Sequence, residues 1–179
     1  LDNHPWLQRF LDLDNISFYK PVYNLLLNYG QMSGNRVWVT SNRQYTLNKV
    51  LDSSIGGAQT DSVALATKDK KTAAIMIWNS HDKDQQGPAE PVAIQISNLP
   101  AKTITLTQCP IDNHHSNAYT VWKKMGSPQH PTSTQIDTLE KAGKLQMMEA
   151  PRQLTVQTNH LTVHIELPRQ GVSLLKLDW

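Results

Sequence analysis

Short segments in which apolar and polar residues alternate dominate the sequence after residue 34. The alternation is clearest in residues 92–97, where three apolar side chains share one face, and in residues 161–167, where four do. A period of two places successive side chains on opposite faces of a β-strand. Each segment therefore predicts a strand with one buried face and one solvated face.

Segments of this kind recur along the chain without a regular alternation of strand and helix. Their predicted bounds are residues 36–40, 62–67, 72–79, 92–97, 103–109, 153–157, 161–167 and 172–177. Residues 74–78 are apolar on both faces, which predicts a central strand, and the polar residues 68–71 predict a hairpin turn before it. The pattern predicts a mostly β fold, namely an antiparallel β-sandwich of about eight strands.

Two short helices are predicted within this run of strands. The first begins at Ser116 or Asn117 and ends at Gly126. The second follows Pro131, carries a capping-box pattern in residues 132–135, and ends near residue 143.

A further helix is predicted before the strands, over residues 20–32, with Pro21 at a first helical position and apolar residues on one face. The chain opens at Leu1 without Met and without a targeting pattern, so we expect a longer parent. We divide the chain into residues 1–34, expected to be the end of a preceding domain, and residues 35–179, the sandwich.

Composition narrows the classes of function. A chain of 179 residues can bury one stable core, and its net charge of +2 comes from scattered basic residues rather than a nucleic-acid-binding patch. No apolar run approaches the roughly 20 residues of a membrane span. We therefore expect neither a nucleic acid nor a membrane as partner.

The single cysteine, Cys109, cannot form an internal disulfide and is interpreted as a structural thiol.

Residues for catalysis or metal binding are sparse. The four glutamates, at positions 90, 140, 149 and 166, are interpreted as surface residues, and no nucleophile motif or phosphate-binding loop occurs. Asp82 and Asp84 resemble the start of a calcium loop but lack its later glycine and glutamate, which favours a solvated turn. We predict no catalytic residue, no cofactor and no metal.

The histidines form two groupings with metal-like spacing. In a strand, His160 and His164 stand roughly 13 Å apart, too far to share one ion. For His114 and His115, a loop role or hydrogen bonding near the following helix cap is favoured over metal binding. His115 is a candidate for ligand binding.

Aromatic residues are the other candidates for ligand binding, since sugar-binding modules stack pyranose rings on exposed aromatic side chains. Trp78 and Trp122 lie on apolar faces and are predicted to be core residues. Trp38 and Trp6 are the candidates either for sugar binding or for packing on a neighbouring domain.

Residues 112–128, with the sequence DNHHSNAYTVWKKMGSP, resemble the late segment of family 39 glycoside hydrolases, which are the β-xylosidases and α-L-iduronidases. Other stretches resemble that family in the same order, and they are residues 19–23, 63–67, 75–79, 131–132 and 168–175. The similarity spans nearly the whole chain, and the long segment with its Gly-Ser-Pro ending is its most specific part.

The resemblance implies a parent with a catalytic (β/α)₈ barrel followed by this sandwich, with residues 20–32 as the last barrel helix. Such a parent is a retaining glycosidase whose two catalytic glutamates precede this chain, so neither role is carried over to any residue here. We favour a secreted, periplasmic or lysosomal-type compartment for it. The sequon Asn15-Ile16-Ser17 alone does not fix the compartment.

We therefore expect a non-catalytic accessory domain that packs on the missing barrel and shapes the rim of its active site through residues 111–116. The alternative is an autonomous carbohydrate-binding module with an oligosaccharide as its partner. A broad apolar patch on the helix of residues 20–32 would favour docking, and an exposed Trp38 or Trp6 beside a sugar-sized groove would favour binding.

Overall fold

A computed structural model describes residues 20–56, 60–83 and 87–179 of the chain. The helices of these ranges are α1 (Pro21–Gly30), α2 (Leu47–Ser53), α3 (Ala118–Lys124) and α4 (Ser133–Gly143). The strands are β1 (Asn35–Val37), β2 (Asp61–Lys68), β3 (Thr72–Ser80), β4 (Glu90–Ser97), β5 (Thr103–Ile111), β6 (Arg152–Thr155), β7 (His160–Leu167) and β8 (Val172–Asp178).

The strands form two sheets that face each other. Six strands lie in the order β1-β2-β3-β8-β5-β6, and β4 pairs with β7 in a sheet of two. Every pairing is antiparallel. The inner faces enclose one apolar core, to which the large sheet contributes Ile75, Ile77 and Leu106 and the small sheet contributes Val163 and Ile165. The predicted mostly β, sandwich-like fold is confirmed.

The small sheet follows the predicted alternation. In β7, Val163, Ile165 and Leu167 are buried, while the residues between them are exposed. β4 repeats the pattern with partly buried residues alternating with exposed ones. One face of this sheet packs on the core and the other contacts water, as the period of two requires.

The predicted central strand and its hairpin are also confirmed. β3 lies between β2 and β8, and Ala74, Ile75, Met76 and Ile77 are all buried. The Asp69 carboxylate closes the turn before β3 because it accepts backbone N–H groups of Lys71 and Thr72 at 2.9 and 2.8 Å. The turn at Thr158-Asn159, just before β7, places both residues at positive φ, as a type I′ turn requires.

The caps of the inserted helices fall where the sequence predicts them. The Asn117 side chain accepts the N–H of Thr120 at the start of α3, and Thr132 and Gln135 form the capping box of α4. Helix α2 was not predicted, although Thr46 caps it. Within the described ranges, every helix is too short or too polar to span a membrane.

Three expectations about tryptophan and β1 need correction. Trp78 and Trp122 are partly exposed rather than core residues. Trp122 lies on the surface helix α3, where its indole N–H donates to the carbonyl of Pro128. Strand β1 ends at Val37, before the predicted end at residue 40, because pairing with β2 stops at Val37.

The outer face of the six-stranded sheet carries a second, smaller apolar cluster. Ala74, Met76, Cys109 and Leu174 form its buried part. Leu25 and Met32, from α1 and the residues just after it, pack on this cluster. Helix α1 therefore lies on the side of the large sheet that faces away from the small sheet.

Candidate docking surface

Helix α1 carries its asparagines inward and most of its large apolar residues outward. Asn24 and Asn28, one turn apart, have no exposed surface, whereas Val22, Leu26 and Tyr29 are 60%, 63% and 57% exposed. A helix on the surface of a globular domain normally shows the reverse arrangement. We call Val22, Leu26 and Tyr29, with the flanking and partly exposed Tyr23 and Leu27, the outer face of α1.

The two asparagines attach α1 to three other parts of the chain. Asn24 Nδ2 donates to the carbonyl oxygens of Ser116 at 2.8 Å and Gly143 at 2.7 Å. Asn28 Nδ2 donates to the carbonyl of Cys109 at 3.1 Å. Gly143 ends α4, where carbonyl groups lack partners within the helix, so Asn24 satisfies an acceptor that would otherwise be buried and unpaired.

Cys109 lies beneath α1, and its burial agrees with the predicted role of a structural thiol. It belongs to the smaller apolar cluster on the large sheet, where it packs with Met76 and Leu174. Burial raises the pKa of the Cys109 thiol, and the nearby charge of Lys176 opposes this only in part. A buried thiol with a raised pKa is a weak nucleophile at neutral pH.

A shallow cleft of about 310 Å³ opens beside α1 at the ends of β3 and β8. Its lining is mostly apolar, with a polar margin, and includes Leu25, Met76, Trp78, Val172, Asn79 and Gln170. Because Leu25 belongs to α1, the cleft extends the apolar surface around the helix onto the edge of the sandwich.

The loop that follows β5 is held by a buried carboxylate. The Asp112 side chain is 4% exposed and accepts the backbone N–H groups of His114 at 2.7 Å and His115 at 2.8 Å. Asn117 Nδ2 donates to the Asp112 carbonyl at 2.9 Å. Ser116 is fully buried, and its hydroxyl donates to the Pro110 carbonyl at 2.8 Å. These hydrogen bonds stabilise the conformation of the loop over residues 112–117.

His115, a candidate from the sequence, is part of this arrangement. Its Nδ1 lies 3.0 Å from both Asp112 carboxylate oxygens, and its side chain is 31% exposed. The expected loop role is confirmed. Because a carboxylate only accepts hydrogen bonds, Nδ1 carries the proton in this contact and Nε2 is the ring nitrogen that remains available.

The tryptophan candidates are not brought together with His115. Trp38 is 88% exposed and follows β1, at one edge of the large sheet. His115 follows β5, four strand positions away, which corresponds to roughly 19 Å between the strands. Trp6 lies outside the described residues. Trp38 and His115 therefore cannot contact the same sugar ring.

The four glutamates do not form a common site. Glu90 pairs with Arg43 at 2.8 Å and Glu149 with Arg152 at 3.3 Å, while Glu140 and Glu166 are exposed. Among the residues that the structure describes, no group of three or more His, Cys, Asp or Glu side chains is placed to hold a metal ion.

Asp82 is more than the solvated turn residue that was predicted. It accepts the N–H of Ile55 at 2.7 Å. Hydrogen bonds from the Ser54 side chain and from Ile55 lower the pKa of Asp82. Asp84, its predicted neighbour in the turn, and the sequon at Asn15 both lie outside the described residues.

The sequence and the fold of this chain are both similar to those of known glycosidases. A curated β-xylosidase from Geobacillus stearothermophilus is 25% identical over 118 residues, covering 66% of this chain and 22% of the relative. A monomeric β-xylosidase from Caulobacter crescentus CB15 matches 89% of this chain and 30% of its own with a TM-score of 0.68 and 17% identity. A bacterial orthologue of human α-L-iduronidase matches 66% of this chain and 22% of its own, with a TM-score of 0.58 and 16% identity.

The chain spans less than a third of the length of each of these relatives. The two structural matches, both under 20% identical, show a shared fold. The family assignment comes from the sequence itself, because residues 3–160 match the family model described as glycosyl hydrolases family 39. Since this match covers most of the chain, the protein belongs to glycosyl hydrolases family 39.

Proposed function

We propose that this chain is the non-catalytic accessory domain of a larger family 39 glycoside hydrolase, and that it packs on and supports the catalytic (β/α)₈ barrel. The observation that carries the proposal is the orientation of α1. Its two asparagines bond to the sandwich, while Val22, Leu26 and Tyr29 are exposed. An exposed apolar surface of this kind marks a contact with another protein surface.

The spacing of the outer face suits a helix of a barrel. Val22, Leu26 and Tyr29 stand at positions i, i+4 and i+7, which form one stripe along a helix. In a (β/α)₈ barrel, an outer ring of helices packs on the strands through such stripes. We therefore assign α1 as the last barrel helix, shared between the barrel on one side and the sandwich on the other.

Covering the outer face would contribute substantially to the stability of the parent. At about 1.5–3 kcal/mol for each fully buried large side chain, covering three that are about 60% exposed contributes on the order of 3–5 kcal/mol. This is comparable to a large part of the total stability of a domain. The contact would hold the two domains in one relative orientation.

The distribution of aromatic and acidic residues supports a role without chemistry or independent sugar binding. In the small sheet, the exposed positions of β7 are His160, Thr162, His164 and Glu166, and none of them is a Trp, Tyr or Phe on which a sugar ring could stack. Trp38 is exposed, but the cleft described above lies beside α1 and not beside Trp38. The proposal therefore assigns hydrolysis to the barrel and gives the isolated chain no sugar-binding site of its own.

The isolated chain provides the test of this assignment. We expect no hydrolysis of 4-nitrophenyl glycosides of xylose or iduronic acid. We also expect no saturable heat in calorimetric titration with xylan or uronate oligosaccharides. Hydrolysis that is lost on a Glu→Gln substitution would contradict the non-catalytic assignment. Saturable sugar binding that is lost in Trp38→Ala would instead support a carbohydrate-binding module.

A further inference from the structure

We infer that His115 binds substrate hydroxyl groups at the catalytic face of the parent enzyme, with Asp112 as the positioning residue that orients its imidazole. The inference rests on the proposed function, because it takes α1 as the last helix of the barrel. It goes further by assigning one side chain of the sandwich to substrate recognition.

The first support is the way in which the imidazole is held. Asp112 is almost fully buried, and its carboxylate accepts two backbone N–H groups as well as His115 Nδ1. Burying a carboxylate is costly unless its hydrogen bonds are well formed. Here they hold a ring whose side chain remains 31% exposed, and since Nδ1 is engaged by Asp112, Nε2 is the ring nitrogen left to bind a ligand.

The second support is the position of the loop relative to α1. The carbonyl of Ser116, the residue after His115, accepts a hydrogen bond from Asn24 in the first half of α1. Asn28, one turn further along, bonds instead to Cys109 within β5. The loop over residues 112–117 therefore lies towards the N-terminal end of α1.

The direction of a barrel helix then places the loop. In a (β/α)₈ barrel, each helix follows a strand and starts at the face that carries the carboxyl ends of the strands, where the active site lies. With α1 as the last barrel helix, its N-terminal end at Pro21 is on that face. His115 is then on the same side of the parent as the substrate.

The chemistry of the presented atom fits a sugar. In the neutral ring, with Nδ1 protonated against Asp112, Nε2 accepts a hydrogen bond, and sugar hydroxyl groups are donors that suit it. Because the loop belongs to a neighbouring domain, we expect His115 to contact the sugar on the leaving-group side of the scissile bond. Substrates whose leaving group is not a sugar should not use the contact.

Steady-state kinetics of the full-length protein test the inference. The variants are His115→Ala, Asp112→Asn and the matched control His114→Ala, whose side chain is exposed and which contacts Asp112 through its backbone N–H. The substrates are the 4-nitrophenyl glycoside that the enzyme cleaves, of xylose or iduronic acid, and a disaccharide of the same sugar.

For His115→Ala, we expect KM for the disaccharide to rise about tenfold, as for the loss of one hydrogen bond of about 1.4 kcal/mol. The kinetics on the 4-nitrophenyl glycoside should stay within about twofold, and His114→Ala should resemble the wild type on both substrates. Asp112→Asn should raise KM for the disaccharide in the same direction, since it removes the partner that fixes the ring.

Unchanged disaccharide kinetics in His115→Ala would overturn the inference, and equal losses on both substrates would show a structural role instead.

Failure of the proposed function would appear in a different measurement, the melting temperature. If α1 does not pack on a barrel, Leu26→Glu will leave the melting temperature of the full-length protein unchanged, and a full-length protein that cleaves no glycoside would overturn both proposals.

Discussion

Helix α1 and the small sheet of β4 and β7 arrange the same kinds of residue in opposite ways. In β7, Val163, Ile165 and Leu167 point into the core and polar residues face water. In α1, Asn24 and Asn28 point into the domain and Leu26 lies outside. The exposed face of the small sheet is polar, as is usual for a protein surface, whereas the outer face of α1 is apolar, as is usual for a protein interior.

The difference shows what a periodic pattern can and cannot predict. A period of two or of 3.6 identifies which residues share a face, but it does not say on which side the domain lies. In the small sheet the apolar face is covered by the large sheet. In α1 the buried face is polar. The Nδ2 groups of Asn24 and Asn28 offset part of the cost of burial by donating to buried carbonyl groups, while their Oδ1 atoms are buried without a hydrogen-bond partner.

The largest expected effect comes from placing the same charge in the two regions of the isolated chain. Ile165→Glu should unfold the domain, because it buries an unpaired carboxylate at a position that is 7% exposed. Leu26→Glu should change the free energy of unfolding by no more than about 0.5 kcal/mol, since the site is exposed and Glu is as good a helix former as Leu. Urea unfolding followed by circular dichroism measures both, and equal losses would remove the contrast.

A smaller effect should separate the two faces of α1 itself. Asn24→Ala removes two hydrogen bonds and leaves the carbonyls of Ser116 and Gly143 unpaired, so we expect a loss of about 2–3 kcal/mol in the isolated chain. Asn28→Ala removes one bond and should cost less. Leu26→Ala, on the outer face, is the control and should be close to neutral. A larger loss in Leu26→Ala than in Asn24→Ala would contradict the assigned orientation of the helix.

The smallest effect concerns the pH dependence of Cys109, which lies under α1. Burial raises the thiol pKa, so folding favours the neutral form. The resulting stability is fully present below the thiol pKa of the unfolded chain and is lost as pH rises towards the higher folded value. We expect a shallow decline of stability at alkaline pH that is absent in Cys109→Ala. Iodoacetamide labelling at pH 8 should be slow in the wild type and faster in Asn28→Ala.

Much of the fold could be predicted from the sequence because local chemistry determines it. The alternation in β4 and β7, the cap at Asn117 and the capping box from Thr132 all act over a few residues. Helix α2 was missed although Thr46 offers a cap, since its apolar residues Leu47 and Leu51 form no buried face in the described structure. Short exposed helices give a weak periodic signal.

The candidate site could be predicted only in part, because its contacts join distant segments. His115 was a candidate, but its pairing with Asp112 depends on a loop conformation that spacing alone does not give. The roles of Asn24 and Asn28 were missed, since their partners are 81 to 119 residues away along the chain. The available signal was the presence of two amides at i and i+4 on the side of the helix opposite the apolar stripe.

The most direct test of the docking role compares Leu26→Glu in the isolated chain and in the full-length protein by thermal unfolding. We predict a near-normal melting temperature in the isolated chain and a clear drop in the full-length protein, where the charge would be buried against the barrel. Leu51→Glu is the matched control, because Leu51 is 73% exposed on α2 and should be silent in both. An unchanged melting temperature of the full-length Leu26→Glu protein would contradict the account.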